Sequence, residues 1–254
     1  MMSEFSTKEK SFLHPKLRDA KKITSSECYE LGKFPTEMVK CIGAHIVYSL
    51  HSGRTDLTGD DWGDIFAKVI NGEHFASPIG IADVHKDKLA WSLKTVKSTN
   101  VFNTSTVRLI SGRCSPDYSF GISNPHEDIQ RTGQAVLAIW NERINIAYEE
   151  FNPVRINVLI RNDSLTEFRI FEENIERYRT TDFIWKENKN GNLEGFNKYS
   201  NEKFFTWQPH GSQFTIHTKV PEEATKFKVR KPPVTPMKEV LQLIRFDESW
   251  IEIL

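Results

Sequence analysis

The sequence predicts a mixed α/β protein, one domain whose C-terminal part is mostly strands. Three observations carry this. Two stretches in the first third space their apolar residues as helices do, paired apolar runs of strand length follow, and a long helical segment separates these from further strand-like runs. The 254 residues are enough to bury a sizeable core. Residues 1–26 read as a polar arm and 27–254 as the domain.

Taken in order, "TEMVKCIGAHIVYSLHSG" places Met38, Ile42, Ile46 and Leu50 at four-residue steps and stops at Gly53. "TGDDWGDIFAKVING" puts Trp62, Phe66, Val69 and Ile70 on one stripe, with acids in its first turn and Gly72 after its end. Two strands are expected over about 79–84 and 88–96, joined by His85–Lys88 as a hairpin. Residues 97–125, rich in Ser, Thr, Asn, Gly and Pro, read as a long irregular loop. "NPHEDIQRTGQAVLAIWNERINIAYEEF" opens with Asn124 as N-cap and Pro125 at the first position, and Ala135, Ile139, Ile146 and Ala147 support a long helix. "VRINVLIRND", "TEFRIFEEN", "KFFTWQPHGSQFTIHTKV" and "TKFKVRK" read as strands, and "PMKEVLQLI" as a short helix started by Pro236.

Lys+Arg and Asp+Glu both total 34, so a polyanionic partner would have to be held by a local patch. Cys28, Cys41 and Cys114 are scattered, without CxxC spacing, which argues against a disulfide framework or a structural zinc site. The charged N-terminus lacks an apolar signal core, and no run approaches the roughly 18 residues of a membrane helix. The expectation is a soluble cytoplasmic protein without a membrane partner. The eight histidines show no zinc-ligand spacing, the glycines form no Walker or Rossmann pattern, and Ser111 and Cys114 have no evident histidine partner for covalent catalysis.

One stretch stands apart. In "GIADVHKDKLAWSLKTVKS" an apolar run carries Asp83, and the next carries Ser92 and Lys94. A buried charge is costly unless it is paired or bound to a metal. Alternation puts Asp83 on one face with Ile79 and Ile81, and Ser92 on one face with Lys94. A hairpin then brings Asp83 and Lys94 together, as an ion pair or as a site. As a site, the carboxylate can hold Mg²⁺ while the ammonium orients water and offsets charge on a phosphate.

"GIADV…WSLK" resembles the PD-(D/E)xK nucleases, especially the type II restriction endonucleases. Their order is a helix, an Asp on one strand, an acid-x-Lys on the next, a long helix and another strand, and residues 56–162 follow it. The resemblance implies a restriction-endonuclease-like mixed central sheet flanked by helices, a catalytic core over about 56–162 and a β-rich elaboration over about 163–254. It also implies Mg²⁺ as cofactor and cleavage of double-stranded DNA at a specific sequence, with a homodimer compatible with that class. Asp83 matches the metal-binding Asp, Ser92 stands where the family has Asp or Glu, and Lys94 matches the Lys. Ala82, not Pro, precedes Asp83. The Leu93 carbonyl would supply a second metal oxygen, and Asp61, Asp64 or Glu73 a second acid, with Asp64 expected among the catalytic residues. On helical spacing Asp64 lies almost opposite the Trp62/Phe66 stripe. "DFIWKENK" matches the motif by letter through Asp182, Glu187 and Lys189, but its polar turn reads as a hairpin tip.

DNA contacts are expected from Lys97, Asn100, Asn103, Arg108 and Arg113, and from Gln208, His210, Ser212 and Gln213 on a hairpin whose Trp207 reads as core. Two other readings use the same residues: a non-catalytic nuclease-like module that binds nucleic acid, and a repair or recombination nuclease.

Overall fold

Ile42, Ile46 and Leu50 are the buried residues of α1 (Thr36–His51), and the Trp62/Phe66/Ile70 stripe is buried in α2 (Gly59–Ile70). Both helices therefore lie with one face on a sheet. The computed structural model that shows this describes residues 28–254, and the arm expected over 1–26 lies outside them. After α2 come β1 (Glu73–Ile79), β2 (Ala82–Lys86), β3 (Leu89–Lys97), β4 (Thr106–Arg113), α3 (Pro116–Phe120), α4 (Ile129–Glu150), β5 (Val154–Arg161) and β6 (Glu167–Asn174). They are followed by β7 (Phe183–Glu187), β8 (Leu193–Asn197), β9 (Lys203–Gln208), β10 (Gln213–Lys219), β11 (Thr225–Lys228) and α5 (Met237–Leu243).

The chain is mixed α/β with two sheets. One has the order β1-β2-β3-β5-β6-β11, the other β4-β10-β9-β8-β7. In the first sheet β3 and β5 are parallel and every other pair is antiparallel. A parallel pair needs a long crossover, and here it contains β4, α3 and α4. Side-chain alternation divides the core. Trp91, Leu93 and Leu159 pack with α1 and α2, whereas Ala90, Ile156, Val158 and Ile160 pack with α4 and with Leu193, Phe205 and Phe214 of the second sheet. β5 is buried along its whole length, as expected of a strand covered on both faces.

Several expectations change. The strand expected over 79–84 breaks at Gly80 (φ 61°), so Ile79 belongs to β1 and is not on the strand of Asp83. A Cβ at Gly80 would lie 2.2 Å from the Arg143 carbonyl oxygen, a contact no pattern in residues 79–84 announces. The β2–β3 turn is Asp87–Lys88, because His85 and Lys86 pair within the ladder opposite Ala90 and Leu89. The loop expected over 97–125 contains β4 and α3. The long helix is capped by Asp128, whose side chain accepts from the Arg131 N–H, while Asn124 closes a turn onto the His126 N–H. Among the described residues no helix is long and apolar enough to cross a membrane, and all three cysteines are free.

Candidate functional site

The β2–β3 ladder sets Val84 opposite Trp91, and the next step sets Asp83 opposite Ser92. The Asp83 Oδ2 accepts from the Leu93 N–H at 2.7 Å, from the Ser92 hydroxyl at 3.3 Å and from Lys94 Nζ at 3.5 Å. Lys94 Nζ also donates to Ser92 Oγ at 2.9 Å and to the Leu93 carbonyl at 3.0 Å. Ser92 is fully buried, and the side chains of Asp83 and Lys94 are 23% and 17% exposed. The ammonium is thus held by three oxygens, two of them uncharged, and its link to Asp83 is the longest. Among the described residues every hydrogen bond and ion pair of the Asp83 carboxylate falls on Oδ2, and none reaches Oδ1. Such a group offers one carboxylate oxygen and one carbonyl oxygen to a hard cation, beside a fixed positive charge.

The turn leading into Asp83 is fastened from behind. Arg143 on α4 donates to the Gly80 carbonyl at 3.3 Å and to the Ser111 carbonyl at 2.7 Å, so one guanidinium joins the β1–β2 turn to the end of β4. Nothing local in the sequence marks Arg143, a single arginine on a long helix that carries several other charges.

None of the proposed second acids joins the group. Asp61 closes a capping box with Thr58 and pairs with Arg54; burial pushes its carboxyl up, but the Thr58 hydrogen bonds and the Arg54 charge outweigh this and hold it below the usual range. Asp64 is exposed in the groove between α1 and α2 and bonds His74 at 2.9 Å, in keeping with its position opposite the buried stripe. Glu73 is also exposed and faces His85 at 3.5 Å. Among the described residues, no three His, Cys, Asp or Glu side chains come together in a way that could hold a metal ion.

The residues expected to contact DNA separate into two sets. Lys97 pairs with Asp56 and Asp163, and Asn103 donates to Asn100 within a turn, so these three are exposed but already engaged with neighbouring side chains. Arg108 and Arg113 lie on β4, which pairs with β10 and places Arg108 opposite His217 and Arg113 opposite Gln213. Two segments about a hundred residues apart therefore form one edge of the second sheet. A register shift at Gly112 (φ 93°) returns Arg113 to the outer face shared by Arg108 and Ile110. Among the described residues the side chains of Arg108, Arg113, Gln208 and Gln213 make no hydrogen bond or ion pair. His210 and Ser212 sit in the β9–β10 turn, and Trp207 is core, its indole N–H donating to the Cys114 carbonyl at 2.8 Å.

"DFIWKENK" forms β7 and its turn, with Glu187 facing His126 at 3.2 Å and Lys189 exposed at the tip. A buried polar knot went unread in the sequence. Glu172 accepts from Tyr29, Trp91, Asn157 and Arg155, and Arg155 and Glu172 are almost wholly buried. Burial and then the Glu172 charge push the Tyr29 hydroxyl far above its ordinary pKa. The signal was present in "VRINVLIR", where Arg155 and Asn157 interrupt an apolar strand as Asp83 does. None of the family models, curated proteins or solved structures compared with this chain matches it.

Proposed function

We propose that the protein is a Mg²⁺-dependent type II restriction endonuclease that hydrolyses phosphodiester bonds of double-stranded DNA at a specific sequence. One observation carries this reading: Asp83, the Leu93 carbonyl and Lys94 converge on neighbouring strands, and Arg143 ties the turn leading into Asp83 to β4, the strand whose Arg108 and Arg113 have no ion-pair partner among the described residues. The order α2, β2 with Asp83, β3 with Lys94, α4, β5 also follows the order of the family that the motif resembles.

In this reading Asp83 Oδ1 and the Leu93 carbonyl are the protein oxygens that would hold Mg²⁺, a sparse set of the kind this ion takes when phosphate and water fill its remaining positions. Bound there, the ion would polarise the scissile phosphate. Lys94 places a positive charge beside the phosphate and orients the attacking water, and Ser92 holds the lysine against Asp83. Arg113, Gln213, Arg108 and Gln208 contact the duplex, and a second copy of the chain would serve the other strand.

A second reading, a nuclease-like module that binds DNA without cutting it, is favoured by Ser92 standing in the acid position and by the lack of a three-ligand cluster among the described residues. Incubation with mixed-sequence plasmid in Mg²⁺ and in EDTA separates the two. Discrete bands only in Mg²⁺, abolished by Asp83→Ala without loss of DNA binding, are expected. Binding without cleavage in any divalent metal would favour the module, and cleavage that tracks DNA structure instead of sequence would favour a repair nuclease.

A further inference from the structure

The outer face of the second sheet holds a cleft of about 320 Å³ between β4, β10, β9 and the β7–β8 turn. Its walls include Arg108, Asn190, Asn192, Lys203, Gln208 and His217. Three strands supply matched positions, since His217 lies opposite Arg108 and Gln213 opposite Gln208. None of these residues belongs to the Asp83 group.

The charges in the cleft do not cancel. Lys203 and Asn188 both donate to Glu194 at 3.2 Å; burial raises the Glu194 carboxyl, but these bonds outweigh it and keep it below the usual range. The lysine and the glutamate neutralise one another. His217 approaches Thr206 Oγ1 at 2.9 Å, and burial, followed by the charges of Lys203 and Arg108, pushes its imidazole down to about 4, so it is neutral at pH 7. Among the described residues Arg108 has no ion-pair partner, and its guanidinium is the one charge left over in the cleft. Asn190, Asn192 and Gln208 have side-chain amides without partners among the described residues. A cleft of this size with one surplus cation and three amides, and with no Phe, Tyr or Trp among its described lining residues, matches a small oxyanion better than a base.

We propose that this cleft is a phosphate-binding subsite, with Arg108 gripping two phosphate oxygens and the amides of Gln208, Asn190 and Asn192 donating to the same group. It rests on the DNA reading for one thing only, the identification of the phosphate as part of a bound duplex; a free phosphate ester carries the same chemistry. Arg108 lies about 16 Å along β4 from Arg113 at about 3.3 Å per residue, so on a bound duplex the two arginines would meet different phosphates.

His217 reports occupancy without any cleavage. An anion beside the imidazole favours its charged form, so bound phosphate raises its pKa. The experiment follows the His217 ring signals by NMR across pH in the full chain in EDTA, with inorganic phosphate, with dTMP and with a short mixed-sequence duplex. The expected result is an upward shift of the His217 pKa by one unit or more with duplex and with phosphate. Arg108→Gln, an exposed change whose fold is checked by its thermal midpoint, should weaken the phosphate response at least tenfold and lower the salt slope of DNA binding by about 1. Response to phosphate and dTMP but not to duplex identifies a free phosphate ester as the ligand and retains the subsite. A His217 pKa that none of the three moves overturns it. If duplex shifts His217 but no DNA is cut in Mg²⁺, the subsite stands and the nuclease reading falls. If DNA is cut while His217 stays silent and Arg108→Gln keeps the wild-type slope, the reverse holds.

Discussion

Ser92 is fully buried and bonds both charged members of the Asp83 group, so each change there is read by two neighbours. Ser92→Ala removes both bonds but leaves Lys94 on the Leu93 carbonyl. The expected loss is about 1–2 kcal/mol of stability with a modest loss of cleavage. Ser92→Glu places a second carboxylate against Asp83, where like charges oppose one another unless a cation intervenes. The variant should melt well below wild type in EDTA and gain more from millimolar Mg²⁺ than wild type does. Equal gains in the two proteins, read by thermal melting, would show that this side chain does not face a metal position. His217 allows a test by pH. Its pKa is about 4 in the fold against an ordinary 6.5, so between those values the unfolded chain binds a proton that the native one refuses. Stability should therefore fall as pH drops from about 6.5 to 4, and less steeply in His217→Gln. Urea midpoints at several pH values in that window check this, and parallel curves would exclude His217 as the source.

Gly112 governs where β4 aims its arginines. Its φ of 93° is a region that side chains rarely adopt, and an added Cβ would lie 2.6 Å from an Arg143 nitrogen. Gly112→Ala should cost about 1–3 kcal/mol in urea unfolding and should also weaken DNA binding, because the bulge that returns Arg113 to the outer face is strained. A variant as stable as wild type would mean that the bulge relaxes freely. This strand also shows what the sequence conceals. Thr106–Ser111 alternates cleanly, with Val107, Leu109 and Ser111 buried, yet its Ser, Thr and Asn neighbours made the whole stretch read as loop. Elements with local causes were legible: the stripes of α1 and α2, the β2–β3 hairpin and the turn of "KENKNGN". Breaks with distant causes were not. Gly80 turns against a carbonyl 63 positions away, and the cap at Asp128 competes with an equally plausible Asn124.

At the scale of the molecule, the pairing of β4 with β10 and of β3 with β5 joins segments that no local pattern links, which is why Arg113 and Gln213 look like separate patches in the sequence. The Glu172 knot likewise joins the segment around Tyr29 to β3, β5 and β6. Glu172→Leu should be severe, about 3–5 kcal/mol, because it leaves buried donors and a buried guanidinium without their carboxylate. The C-terminal arm should behave in the opposite way. No residue of α5 is buried, and Met237, Leu243, Trp250, Ile251 and Ile253 are largely exposed. The body of the protein holds the chain just before this point, where the Thr235 N–H donates to the His51 carbonyl at 3.1 Å and the His51 ring bonds the Pro233 carbonyl at 2.6 Å. Removing 237–254 takes away no core side chain, so the urea stability of the remaining chain should change by no more than about 0.5 kcal/mol. Solubility should rise, since exposed apolar side chains promote association. A loss above about 2 kcal/mol would show that these apolar residues pack against protein in solution, and its dependence on protein concentration would tell packing within one chain from packing between two.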